Sequence, residues 1–219
     1  KSLKSHGERL PKSISKFMKE YELIIGLTKF SMAHSKERIA SERFGTRYLS
    51  LPDYSKDLLK HSALRADFKK LGKNAMILSK ILSKGKIIKI KTKIGTDLII
   101  DVTGRNGNFA PGYVNKKIKL GSPPDIESNI APIENKSYGK IVVDGSIPHP
   151  KIGILNSPIT LKIDKGRIIS IDGEKSILKK IFNVIKIKNG PVLLGEFGIG
   201  LNNKAKLTGN MLLDEGCLG

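Results

Sequence analysis

The run Lys86-Ile87-Ile88-Lys89-Ile90-Lys91-Thr92, the turn Ile94-Gly95 and the return Thr96-Asp97-Leu98-Ile99-Ile100-Asp101-Val102 alternate apolar and polar side chains. Alternation places successive side chains on opposite faces of an extended chain, and the glycine between the runs supplies a turn. The stretch predicts a β-hairpin. Short β-branched runs follow at residues 139–146, 159–163 and 167–172, bounded by Gly, Pro, Asn or Asp. Asp164-Lys165-Gly166 predicts a second hairpin turn, a helix is expected over residues 173–184, and Asn189-Gly190 opens the last segment. Residues 85–219 are therefore expected to form a mostly antiparallel, β-rich domain.

Upstream of Gly85 the period changes. Leu58, Leu59, Leu64, Phe68, Leu71, Ala75, Leu78 and Leu82 recur at helical spacing, either as one helix or as two broken near residues 61–66. Earlier still, the apolar run Tyr21-Glu22-Leu23-Ile24-Ile25-Gly26-Leu27 reads as a buried strand. Residues 35–44 read as a helix closed by Gly45, and Arg47-Tyr48-Leu49-Ser50-Leu51 as a second strand closed by Pro52. Strand, helix, strand is a βαβ unit. Residues 1–84 are expected to be the remainder of a Rossmann-like α/β domain with a helical linker, which makes the whole chain α+β.

Composition narrows the function classes. A 39% hydrophobic content spread along the chain argues for a globular protein. No apolar run approaches the roughly 20 residues needed to span a bilayer, so no membrane association is expected. The single cysteine, Cys217, excludes an internal disulfide framework and four-thiolate zinc sites, and a cytoplasmic setting is the default. The formal charge of +20 invites a nucleic-acid reading, but the lysines are scattered through every segment and aromatics make up only 5%. Stacking platforms are too sparse, and nucleic acid is not the expected partner.

The histidines at 6, 34, 61 and 149 include no pair at the i, i+4 spacing of a helical zinc motif. No G-x-S-x-G elbow or P-loop is present. Two carboxylates stand in rigid surroundings. Glu127 follows Pro123-Pro124, and Glu196 lies in Gly195-Glu196-Phe197-Gly198-Ile199-Gly200 after the strand-like residues 191–194. Spacing alone leaves two readings open: exposed turn glutamates, or a pair able to bind hard or borderline divalent cations. Gly198 and Gly200 would allow close approach of a ligand or another strand.

Longer blocks carry a resemblance. Glu127-Ser128-Asn129-Ile130-Ala131-Pro132-Ile133-Glu134, then Gly139-Lys140-Ile141-Val142-Val143-Asp144-Gly145-Ser146, then Glu196-Phe197-Gly198-Ile199-Gly200-Leu201-Asn202, and Asp214-Glu215 before Leu218-Gly219 resemble, in order, the blocks of the thermophilic metallo-aminopeptidase (aminopeptidase T) family. Ser31-Met32-Ala33-His34-Ser35 and Gly95-Thr96-Asp97-Leu98 extend the match upstream. The resemblance implies a hydrolase, an aminopeptidase releasing N-terminal residues from peptides through a water activated by two divalent ions, Zn or Co with Fe also possible. It places metal ligands on Glu127 and Glu196 and implies a homodimer for the full-length protein. The family's other ligands, two histidines and an aspartate, and its catalytic tyrosine are expected beyond Gly219, so the chain is expected to be a fragment. Asp125-Ile126 and Gly216 depart from the family pattern, the first where it could alter how Glu127 is aimed. Ring-opening dioxygenases that act on dihydroxypyridines are similar to the same family and use a single Fe(II), which is the alternative reading. A non-catalytic basic binding domain is the third.

Overall fold

The βαβ unit read near the start of the chain is built by a pair of parallel strands. In the computed structural model, which describes residues 5–186 and 190–218, α1 (Lys12–Met18) leads into β1 (Leu23–Thr28), α2 (Lys36–Ser41) and β2 (Arg47–Pro52). β1 and β2 pair in parallel from Leu23↔Arg47 to Thr28↔Pro52. Ser35 opens α2 by accepting a hydrogen bond from the Arg38 amide. A 3-10 turn, Glu42–Phe44, closes on Gly45 at φ 89°, a left-handed conformation that glycine adopts without a Cβ clash.

The long helical pattern breaks in two. α3 (Lys56–Lys60) and α4 (Phe68–Lys84) are separated by the 3-10 turn Ser62–Arg65. The break falls where His61 accepts the Ala63 amide through Nδ1 and Asp67 then caps α4 by accepting the Lys70 amide.

Beyond Gly85 the strands are β3 (Ile87–Lys91), β4 (Asp97–Asp101), β5 (Asn108–Ala110), β6 (Leu120–Gly121), β7 (Glu127–Ile130), β8 (Ser137–Val143), β9 (Ser146–Ile147), β10 (Gly153–Ile154), β11 (Ile159–Asp164) and β12 (Arg167–Asp172). Helix α5 (Lys175–Lys186), β13 (Phe197–Gly200) and α6 (Met211–Gly216) complete the order. The predicted hairpin is β3–β4, antiparallel from Ile87↔Asp101 to Lys91↔Asp97, and it extends into a five-stranded sheet of order β12-β11-β8-β4-β3. The second predicted hairpin, β11–β12, turns through Lys165 and Gly166, both at positive φ. Of the pair Asn189-Gly190 read as opening the last segment, Asn189 lies outside the described residues. Residues 191–194 form no strand and make a single bridge, Arg167↔Leu193. The architecture is the α+β mixture expected, mostly antiparallel with a parallel part.

One connection was not expected. β6 pairs in parallel with β2, giving the order β1-β2-β6, so the first sheet takes a strand from far downstream. A further sheet, β13-β7-β5, lies against α4. No helix among the described residues is long and apolar enough to cross a membrane.

Leu82 of α4, Leu98 and Ile100 of β4, Val102, Ile130 of β7 and Ile163 of β11 form one buried cluster. It joins the inner face of the five-stranded sheet to the helix behind β7. Ile100 is 1% exposed there, so Ile100→Ala should cost about 2–5 kcal/mol in urea unfolding. Ile99, on the opposite sheet face and 42% exposed, should tolerate alanine within about 0.5 kcal/mol.

Candidate functional site

The site is set up by the alternation of β7. Ile126, Ser128 and Ile130 are fully buried, and the Ser128 hydroxyl donates to the Ala75 carbonyl of α4. This face belongs to the core. Asp125, Glu127 and Asn129 therefore point the other way. The antiparallel register Gly200↔Glu127 and Gly198↔Asn129 puts Gly198 and Gly200 on that same face, Glu196 enters just before β13, and Asn108↔Asn129 and Ala110↔Glu127 add β5.

The result is a cleft of about 600 Å³. Asp125, Glu127, Glu196 and Glu215 line it together with His34 and Ser31, which lie on the loop after β1. Glu127 and Glu196, the two glutamates singled out from sequence, are thus brought to one cleft. They differ in setting: Glu127 opens β7 and is buried, whereas Glu196 immediately precedes β13 and is exposed. His6 also lines the cleft, whereas His61 caps a turn and His149 accepts a local amide.

Glycines make the assembly possible. A Cβ on Gly200 would lie 2.1 Å from the Cys217 carbonyl oxygen, and one on Gly216 would lie 2.7 Å from Asp125 Cα. The end of α6 can seat against β7 and β13 because both are glycine, which carries Glu215 to the carboxylate group. Gly216, read as a departure from the family pattern, is what lets Asp125 pack there.

The electrostatics are those of crowded, partly dehydrated acids. Asp125 is 5% exposed and Glu127 8%. Burial, followed by repulsion from Glu127, Glu215 and Glu196, holds Asp125 well above the ordinary carboxylate range. Burial likewise lifts Glu127 to about 6, with the Asn129 hydrogen bond pulling it down and Glu196 pushing it up. Asn129 Nδ2 donates to Glu127 Oε1 at 2.6 Å. Burial and the charges of Glu127, Glu196 and Asp214 raise Glu215 to about 7. Glu196 is raised by burial, and His34 acts against that.

Asp125 Oδ1 is buried with no hydrogen-bond partner among the described residues. An orphaned carboxylate oxygen amid like charges is the surrounding a divalent cation relieves. Oxygen donors beside an imidazole suit a hard or borderline ion. Among the described residues, however, no three His, Cys, Asp or Glu side chains converge as an ion-holding group. The charge of the cleft fits a metal, and Glu127 and Glu196 can supply part of its ligand set.

Sequence reasoning missed Asp125 and Glu215 as members of the cluster. For Asp125 a signal existed: Asp125, Glu127 and Asn129 alternate with Ile126, Ser128 and Ile130, which marks one polar strand face.

Asn202 holds this arrangement from behind. Fully buried, it donates Nδ2–H to the Ala63 carbonyl at 3.1 Å and to the Pro124 carbonyl at 2.7 Å, while its own amide donates to Gly216 O. Asn202→Ala leaves two buried carbonyls unpaired and should cost roughly 2–4 kcal/mol in urea unfolding. Asn202→Asp, which presents no amide hydrogens, should not restore the loss.

Comparison with known proteins fixes the family. The family model for 2,5-dihydroxypyridine 5,6-dioxygenase, NicX, matches residues 3–216. The solved structure of 2,5-dihydroxypyridine dioxygenase from Pseudomonas putida KT2440 is similar with a TM-score of 0.76 and 19% identity, covering 94% of this chain and 61% of that one. Wild-type AmpT from Thermus thermophilus is similar with a TM-score of 0.64 and 12% identity, covering 97% of this chain and 66% of that one. The chain thus spans less than two thirds of the dioxygenase's length. No curated protein sequence matches it.

AmpT supports the aminopeptidase T resemblance as a likeness of fold. The activity drawn from it, an aminopeptidase and hence a hydrolase or protease, is corrected by the dioxygenase match, which spans nearly the whole chain and identifies an oxidoreductase family. The shared blocks build a common frame of β7, β13 and α6, and carboxylates on such a frame suit a divalent ion whichever reaction it serves. Dioxygenases of this type are metal-dependent, which keeps a divalent ion in the account. Matched over residues 3–216, the chain belongs to the 2,5-dihydroxypyridine 5,6-dioxygenase family.

Proposed function

We propose that this chain provides the carboxylate side of an Fe(II)-dependent ring-opening dioxygenase acting on a dihydroxylated pyridine. The observation that carries the reading is the cleft lined by Glu127, which opens β7, by Glu196, which immediately precedes the paired strand β13, and by Asp125, Glu215 and His34. Glu127 and Glu196 would hold one divalent ion by their carboxylates, with Asn129 fixing the orientation of Glu127 through the bond to Oε1. When bound, Fe(II) supplies the redox chemistry by which dioxygen enters an electron-rich ring, and both oxygen atoms end in the opened product.

The chain's own contribution is placement and proton handling. Glu215, raised to about 7, can hold a proton at neutral pH and exchange it with a ring hydroxyl, as a general acid or base with a pKa near the working pH does. Asn108 and Asn129 offer amide donors and acceptors to the polar edge of a heteroaromatic ring, and Phe109 lends apolar surface beside them.

The test uses the intact polypeptide that carries this chain, loaded anaerobically with Fe(II). Expected are one iron per chain by elemental analysis and oxygen uptake matching the loss of 2,5-dihydroxypyridine absorbance. Glu127→Ala should lower iron occupancy and uptake together. Iron bound at one per chain with no oxygen uptake on any dihydroxypyridine would sink the reading, as would a requirement for two ions.

A further inference from the structure

A second hollow, of about 380 Å³, adjoins the carboxylate cleft, and His6, Met211 and Leu212 line both. His6 is the post at this junction. Its Nδ1 accepts the amide of Ser31, a cleft residue, at 2.9 Å, while its ring meets Phe30, a residue of the hollow, edge to face with 5.3 Å between centroids. Met211 beside it is half-buried, and an unbranched thioether adapts its shape to what passes it.

Size argues that a bare ring underuses this space. An apolar cavity of roughly 150 Å³ is enough to take up benzene. The cleft alone holds about 600 Å³. A six-membered ring with two hydroxyls therefore leaves much of the cleft, and all of the hollow, without a partner. Each of the two volumes lies within the range of small-molecule sites.

The chemistry of the hollow is that of a site for an uncharged arm. Pro52, Pro148 and Pro150 supply rigid apolar rings without amide hydrogens, and Phe30 and Leu212 add apolar surface. Its two full charges, Lys29 and Asp53, have opposite signs, so the walls ask for no net charge in an occupant. The walls are also tied together. Asp214 of α6 accepts the Ser146 hydroxyl at 2.5 Å and the amides of Thr208 at 2.7 Å and Gly209 at 2.9 Å, which binds the loop before α6 to β9, the strand that leads into Pro148.

We infer that the hollow is a subsite of the same active site and that the preferred substrate is a dihydroxypyridine carrying an uncharged alkyl or aryl substituent. The ring lies in the carboxylate cleft, and the substituent passes His6 and Met211 to pack against the three prolines. The inference rests on the dioxygenase reading.

Oxygen uptake by the intact polypeptide loaded with Fe(II) tests it, with 2,5-dihydroxypyridine and its 3-butyl and 4-butyl derivatives as substrates. Both positions lie away from the 5,6 bond named in the family's reaction. One butyl isomer should exceed the bare ring about tenfold in kcat/KM, chiefly through a lower KM, which is the effect of burying two methylenes. Thr208→Trp and Pro150→Trp, each at an exposed position that lines the hollow and not the cleft, should cut that advantage to about threefold or less. The ratio is read within each variant, so a general loss of fold or iron lowers both rates alike and leaves it unmoved. Equal or poorer use of both butyl compounds by the wild type would overturn the proposal and leave the dioxygenase reading standing. A butyl preference untouched by either tryptophan would overturn it too, because the arm would then lie elsewhere. No uptake with any of the three compounds ends the reading itself, and the proposal with it.

Discussion

Metal-free protein should lose stability as the pH rises from about 5 to about 8, and Glu127→Gln should remove a large part of that loss. Burial lifts Glu127 from 4.5 to about 6, so the folded state holds this proton more tightly than the unfolded chain does. The stabilisation is complete below the unfolded pKa and is lost as pH climbs through the folded one. A shift of that size corresponds to about 2 kcal/mol, at 1.36 kcal/mol per pKa unit. Asp125, raised by burial and by the same neighbours, adds in the same direction. Glu215 acts in the same direction, more weakly because its exposed side chain is screened by solvent. Glutamine at 127 still offers an Oε1 to Asn129, so the hydrogen bond survives while the charge goes. The check is urea unfolding of chelator-treated protein at stepped pH. Adding Mn²⁺, a redox-quiet stand-in for Fe(II), at about pH 8 should raise the midpoint of the wild type and leave Glu127→Gln nearly unmoved, because the ion neutralises the charge that the variant lacks. A flat profile for the wild type would mean that the acids are not crowded as described.

What the sequence disclosed follows physical range. The β3–β4 hairpin, the βαβ pair and the Gly45 helix end are local, each written in alternation, helical spacing or one glycine, and each was legible. β6 was not, since two residues, Leu120 and Gly121, carry no period and take their partner from β2. Glu127 and Glu196 stood out by their Pro- and Gly-framed settings but were paired only through a resemblance, because nothing in the residues between them states that β7 and β13 are neighbours in register. Asp125 could have been found from strand alternation. Glu215 could not, because its approach depends on Gly200 and Gly216 permitting backbone contact. The reaction class was misread for a related reason. The blocks that resemble an aminopeptidase are the residues that build the sheet and its carboxylates, and a frame of that kind does not choose between hydrolysis and oxygenation.

Gly200→Ala is the substitution expected to dismantle the site without touching a carboxylate. Its new methyl would stand 2.1 Å from the Cys217 carbonyl oxygen and 2.7 Å from that of Glu215, both backbone atoms with no rotamer to yield. Relief requires the end of α6 to move off β13, which strains the bonds from Asn202 N to Gly216 O and from Leu218 N to Asn202 O. Overpacking of this kind costs about 3 kcal/mol. Gly198→Ala is the control on the same strand face. Its methyl would meet Glu127 Oε2 at 3.3 Å, the far end of a side chain that can swing aside, so the fold should lose well under about 1 kcal/mol. The two variants should also part in metal binding. Gly198→Ala re-aims Glu127 and should weaken Mn²⁺ binding severalfold with stability nearly intact. Gly200→Ala should lower both, because Glu215 leaves the cluster with the end of α6 and the negative field that attracts the ion is diluted. Unfolding curves and Mn²⁺ titrations of the pair separate the two effects. A Gly200→Ala protein as stable as wild type would show that α6 does not seat against β13, and Glu215 would then not belong to the carboxylate cluster.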